Sequence, residues 1–199
     1  MTVAAKDNKI SDVQLWTHYQ TDAAQQFEVG HGRQEFLARQ ISRKISAGGT
    51  LLEIGFGDAY LLRKLAPSYG CHAADISPSN IAQMQERHPQ VRFSLVEPDG
   101  RLPYSDETFD GFIATEVLEH MDNEELATVI PEIWRVLKPG GRAFLTFPAR
   151  ENLQESECFC PSCGTKFHKW GHKQVWDEDK IRAMRFYMSI RELHRQITT

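Results

Sequence analysis

Apolar residues recur at helical spacing in the first part of the chain and fall into short runs from residue 50 onward. Up to about Ser46, Trp16, Tyr19, Phe27, Phe36, Leu37 and Ile41 stand among polar residues. That spacing predicts two amphipathic helices, broken near Gly30-His31-Gly32. Further on, apolar runs predict strands at 50–54, 71–76, 91–96, 109–114 and 142–147. Between them lie a helix over 59–66 closed by Pro67, another over 79–87 ended near Pro89, and a third that includes 124–137. Lys138-Pro139-Gly140-Gly141 reads as a turn.

Such alternation predicts an α/β fold: a doubly wound, mostly parallel sheet with helices on both faces and right-handed crossovers. Ligands of these sheets bind beyond the carboxyl ends of the strands, where the strand order reverses. After Pro148 the texture changes to a Cys- and His-rich stretch over 157–172. A last helix is expected from Asp177, with a strand at 186–190. The chain thus divides into an N-terminal helical segment (1–48), an α/β core (49–150), a Cys/His insert (151–176) and a C-terminal piece (177–199), all within one domain.

Composition narrows this picture in three ways. A chain of 199 residues with 41% hydrophobic and 25% charged residues is an ordinary globular protein. Its net charge of −4, without any Lys/Arg run, argues against a broad electrostatic grip on nucleic acid or anionic lipid. No run approaches the ~18 apolar residues of a membrane span, and the start lacks the pattern of a secretory signal, so the cytoplasm is the expected compartment. Three of the four cysteines crowd into one segment, which in a reducing compartment suggests metal before disulfides.

The first strand runs into Glu53-Ile54-Gly55-Phe56-Gly57-Asp58-Ala59. Two glycines let the backbone turn tightly and approach a ligand, with a helix N-terminus aimed at it. Asp75 closes the second strand, where a carboxylate can accept bonds from both ribose hydroxyls of an adenosine. Its structural alternative is an N-cap for the helix after Pro78.

Glu53-x-Gly55-x-Gly57, Asp75, Leu102-Pro103-Tyr104…Phe109-Asp110 and Arg135-Val136-Leu137-Lys138-Pro139-Gly140-Gly141 follow one another in order. Over residues 50–148 this set closely resembles class I S-adenosylmethionine methyltransferases. A dinucleotide dehydrogenase would explain the glycines and the acid but not the two later blocks. The resemblance implies that Glu53, Gly55 and Gly57 line the methionine and ribose end of the cofactor. It makes Asp75 the ribose-binding acid, with Ile76 flanking the adenine and Glu97 or Asp99 near the adenine amino group. Ala59 departs from the family, many of whose members have a third glycine there. If that position is already helical, alanine costs little.

Thr115-Glu116-Val117-Leu118-Glu119-His120 follows the fourth strand, beside the expected methyl donor. On a helix Glu116, Glu119 and His120 would share one face. Two carboxylates and an imidazole there can hold a divalent cation, or His120 can act as a general base. The plainer alternative is that they solvate a helix start. The E-x-x-E-H pattern resembles the ubiquinone-pathway and small-RNA 3′-end methyltransferases. In those groups the cluster binds a divalent metal with a further histidine from beyond the fifth strand, the region of His172.

Cys158-x-Cys160-Pro161-Ser162-Cys163-Gly164 contains a C-P-x-C-G knuckle, with His168 and His172 following. The donors suit a structural zinc, either as Cys2His2 from Cys160, Cys163, His168 and His172 or with Cys158 replacing one histidine. The segment resembles an insert of some bacterial methyltransferases, where it lies over the substrate entrance. His172 cannot easily serve both zinc and the Glu–His cluster, and zinc is the preferred assignment.

Together these residues predict a methyltransferase acting on an oxygen of a small-molecule, lipid or glycan acceptor, with nitrogen or carbon acceptors less favoured. A metal-dependent nucleic-acid 2′-O-methyltransferase is the rival enzyme, and a cofactor- and zinc-binding scaffold the non-catalytic rival. Methyltransferases of this fold usually carry two more strands after the fifth. The short remainder after Asp177 suggests a missing last strand or a truncated form, and an exposed edge that favours a homodimer.

Overall fold

In the computed structural model, residues 12–21, 28, 30–148, 151–162, 164 and 166–173 are described. Helices α1 (Asp12–Thr21) and α2 (His31–Lys44) precede β1 (Thr50–Ile54), α3 (Tyr60–Leu65), β2 (Gly70–Asp75), α4 (Pro78–Arg87) and β3 (Arg92–Leu95). Then come β4 (Phe109–Thr115), α5 (Asn123–Val136) and β5 (Leu137–Thr146). The short strands β6 (Glu157–Phe159) and β7 (Lys166–His168) close the described part. The helix and strand expected after Asp177 lie outside the described residues.

The sheet has the order β3-β2-β1-β4-β5, and every pairing in it is parallel. Alternate residues of the central strands enter separate cores, as the two-residue period of a strand requires. Leu51 and Ile113 join α2 and α3 on one face, whereas Leu52, Ile54, Phe112 and Ala114 join α5 on the other. This explains the near-continuous apolar runs: a strand buried on both faces has no polar side. The strand order reverses between β1 and β4, so the switch point opens beyond Ile54 and Thr115.

Three local expectations are corrected. The Lys138–Gly141 turn does not separate α5 from a fifth strand. Phe109 pairs with Leu137 and Gly111 already with Arg142, so Lys138-Pro139-Gly140-Gly141 loops out as a bulge inside β5. Ala59 is not helical: it caps α3 with φ 56 and ψ 22, a left-handed conformation that suits glycine. Nor do Glu116, Glu119 and His120 share a helical face. Glu116 has φ 55, and Leu118–His120 form only a single 3-10 turn before Asp122 caps α5.

Candidate active site

The glycine turn after β1 is held from two sides. Gly55 N–H donates to the Ala74 carbonyl at 3.0 Å, and the Asn80 side chain donates to the Gly57 carbonyl at 3.1 Å. Both glycines have positive φ, 60 and 54. A side chain at Gly55 would also bring its Cβ to 2.6 Å from Val117 Cγ2, so that position is closed to other residues by space as well as conformation.

Beside this turn, Asp75 is 5% exposed. Its Oδ1 accepts the Ser77 N–H at 2.8 Å, and its Oδ2 accepts from Gln20 Nε2 at 3.4 Å. Burial pushes its pKa up, against the pull of those hydrogen bonds. The N-cap of α4 is Ser77, whose Oγ accepts the Asn80 N–H at 3.3 Å. Asp75 is therefore not spent on capping the helix and opens into a cavity.

The cavity measures about 1000 Å³, the upper end of the range for ligand pockets of ~300–1000 Å³. Gly55, Gly57, Asp75, Ile76, Glu97 and Asp99 line one end; Glu116, Glu119, His120 and His172 line the other. Glu97 and Asp99 are exposed on the loop after β3. Glu53, expected at the cofactor, is not among the lining residues. It is 1% exposed behind the turn, where its carboxylate accepts from Thr115 Oγ1 at 3.4 Å. Burial pushes its pKa up to about 8.

At the far end the acids part company. Glu116 is drawn aside: Thr146 Oγ1 donates to it at 2.8 Å, and Arg33 lies 3.6 Å away. Glu119 is wholly buried, and among the described residues neither carboxylate oxygen has a hydrogen-bond partner. Burial pushes its pKa up to about 8, with the charge of Glu116 adding to the effect. One donor atom each of Glu119, His120 and His172 lie within 4.8 Å of one another, so His172 takes the place expected for Glu116.

The insert packs on this rim. Lys173 N–H donates to the Glu119 carbonyl at 2.6 Å, and Tyr19 Oη of α1 donates to the Lys169 carbonyl at 2.9 Å. Its hairpin register pairs Glu157 with His168 and Cys158 with Phe167. Directly opposed residues share a face and successive residues alternate, so Cys158 and His168 point to opposite sides. Among the described residues no cysteine joins His168 and His172; the carboxylate of Glu151 does. Among the described residues, then, His168 and His172 meet Glu151 and not Cys158 or Cys160. Among the described residues Cys158 and Cys160 form no disulfide, and Cys163 lies outside the described residues.

Trp16, Gln20, Arg33 and Glu151 were missed in the sequence. Each acts on the site from a distant segment: Gln20 reaches Asp75 across 55 positions, and the Trp16 ring stands 4.5 Å from that of His120. No local spacing signals such pairs.

Residues 52–145 match the model of the methyltransferase domain family. The chain is 30% identical over 145 residues to an O-methyltransferase of Aspergillus nomiae, covering 68% of this chain and 61% of that protein. An O-methyltransferase of Aspergillus sclerotiorum is 28% identical over 145 residues, with 52% of its length covered. The chain thus spans between half and two thirds of the length of these relatives. The fold also matches a chain in the complex between the Haloferax volcanii Trm112 methyltransferase activator and a methyltransferase. There the TM-score is 0.67 at 20% identity, covering 95% of this chain and 77% of that one. Among the described residues no helix is long and apolar enough to cross a membrane.

Proposed function

We propose that the chain is an S-adenosylmethionine-dependent methyltransferase acting on a hydroxyl of a small-molecule, lipid or glycan acceptor, a reading supported by the match of residues 52–145 to the methyltransferase domain family. The observation that carries the reading is the buried Asp75 carboxylate, opening into the cavity beside the Gly55–Gly57 turn at the switch point. When bound, S-adenosylmethionine supplies a methyl group on a sulfonium, which passes in line to the acceptor oxygen. In this reading Asp75 accepts from the ribose hydroxyls in place of Gln20, and Ile76 flanks the adenine. Glu97 or Asp99 meets its amino group. His120 takes the hydroxyl proton as the new carbon–oxygen bond forms.

The O-methyltransferase relatives support an oxygen acceptor. The lining supports a small one: among the described residues that line it, the acids Asp75, Glu97, Asp99, Glu116, Glu124 and Glu125 stand with Arg33 as the one Lys or Arg. Such a lining repels a phosphate backbone, which disfavours the nucleic-acid reading. Room for a nucleoside and an acceptor together disfavours a non-catalytic scaffold.

Glu119, His120 and His172 also fit a divalent ion, since the orphaned buried carboxylate of Glu119 lacks the partner that a cation would be. Such an ion, when bound, supplies Lewis-acid polarisation of the acceptor hydroxyl.

Asp75→Ala tests the reading. Loss of charge-assisted bonds to ribose should weaken S-adenosylhomocysteine binding by roughly 1.5–3 kcal/mol, with the fold retained. Unchanged affinity in calorimetry would remove Asp75 from the site and the reading with it.

We propose that Cys158, Cys160 and Cys163 supply three of the four ligands of a structural zinc. Gly164 N–H donates to the Cys160 carbonyl at 2.8 Å, a turn that suits a C-P-x-C-G knuckle. Protein purified without chelator should carry about one zinc per chain. Cys160→Ser or Cys163→Ser should lose it, and His168→Gln should keep it. A metal-free protein in elemental analysis, or one that loses zinc with His168→Gln, would refute the assignment.

A further inference from the structure

His172 reaches the cavity from the insert, and its ring stands 4.9 Å from that of His120. What its two nitrogens do is decided behind it, by side chains outside the cavity lining. One is His168, whose Nδ1 accepts two backbone N–H groups, from Trp170 at 3.2 Å and from His172 at 3.1 Å. A nitrogen that accepts holds a lone pair, so the ring is neutral with its proton on Nε2. Burial acts in the same direction, lowering the pKa of His168.

The protonated Nε2 of His168 is buried and has no hydrogen bond among the described residues; Glu151 Oε1 stands 3.4 Å away. The other oxygen of that carboxylate, Oε2, is hydrogen-bonded to Nδ1 of His172. A carboxylate offers only lone pairs, so the proton of this bond sits on Nδ1 of His172. The lone pair of the ring is then on Nε2. A donor atom of the same ring lies within 4.8 Å of those of Glu119 and His120.

We propose that Glu151 is a positioning residue that fixes His172 as its Nδ1–H tautomer and so presents the Nε2 lone pair to the catalytic cavity. The arrangement makes His172 a second acceptor beside His120, able to take a proton or hold a cation. A carboxylate or carbonyl behind a working imidazole is how proteins set such tautomers. The catalytic meaning of this lone pair rests on the methyltransferase reading; the tautomer itself does not.

Long-range proton–nitrogen correlation spectra of the imidazoles in the full-length, nitrogen-15-labelled protein read the tautomer directly, with His172→Gln identifying the signals. The wild type should show His172 protonated on Nδ1 and unprotonated on Nε2, and His168 the reverse. In Glu151→Ala the Nε2 signal of His172 should move toward the protonated position. Glu151→Gln, whose amide oxygen still accepts from Nδ1, should restore the wild-type pattern. A merely structural role for Glu151 would not separate the two variants in this way. The proposal is overturned if wild-type His172 is protonated on Nε2, if Glu151→Ala leaves it unchanged, or if Glu151→Gln behaves like Glu151→Ala. S-adenosylhomocysteine binding to the wild type is measured alongside. Absent binding sinks the methyltransferase reading, whereas the nitrogen spectra decide the tautomer in either case.

Discussion

His120→Ala should lower the rate of methyl transfer by about 10²–10⁴-fold while cofactor affinity stays nearly intact. His120 stands at the end of the 3-10 turn after β4, between the Trp16 ring at 4.5 Å and the His172 ring at 4.9 Å. The Asp75 end of the cavity lies on other segments, so the loss should appear in turnover and not in cofactor binding. Formation of S-adenosylhomocysteine with small hydroxyl acceptors reads the rate. The companion variants separate a base from a metal ligand. If a cation is held, Glu119→Gln and His172→Gln should fall comparably, and EDTA should inhibit until Mg²⁺ or Mn²⁺ is restored. If His120 acts as base, chelation should leave the rate unchanged and Glu119→Gln should cost less. Glu116→Ala should be milder than His120→Ala under either mechanism, because Thr146 and Arg33 already hold that carboxylate aside. Full activity in His120→Ala would eliminate both mechanisms and leave catalysis to positioning alone.

Gly55→Ala is expected to be as damaging to the fold as His120→Ala is to the chemistry. The substitution imposes a left-handed conformation on an alanine, at about 1–2 kcal/mol. It also drives a methyl to 2.6 Å from Val117 Cγ2 in a packed site, and overpacking of that kind costs about 1–3 kcal/mol. A destabilisation of about 2–5 kcal/mol should follow in denaturant unfolding. Val117 precedes the turn that carries Glu119 and His120, so relief of the clash would displace the catalytic end as well. A Gly55→Ala protein with unchanged stability and cofactor affinity would show that the turn is not held as described.

The local parts of this protein were legible in the sequence. Strands β1 to β4 and helices α3 to α5 lie within a few residues of their expected bounds, because burial on both faces writes apolar runs and amphipathic helices write their own period. Asp75 and the Gly55–Gly57 turn were legible for the same reason: a strand end, a tight turn and a helix start are fixed by neighbours in the chain. What lies between distant segments was not. Helical spacing grouped Glu116 with Glu119 and His120, but a backbone φ of 55 and a hydrogen bond from Thr146 turned Glu116 away. The left-handed Ala59 likewise follows from how β1 must bend into α3, which its own side chain does not announce.

The insert gives the clearest contrast. Sequence determined that Cys158, Cys160, Cys163, His168 and His172 are chemically able donors close together along the chain. Only the tertiary structure decided which of them meet. Hairpin register sets Cys158 and His168 on opposite faces, because side chains alternate with a period of two however near they are in sequence. Glu151, 21 positions before His172, then takes the imidazole that spacing had offered to zinc. Donor type is a property of the residue, but coordination and tautomer are properties of geometry, and that geometry forms only when the insert folds back onto the rim of the cavity.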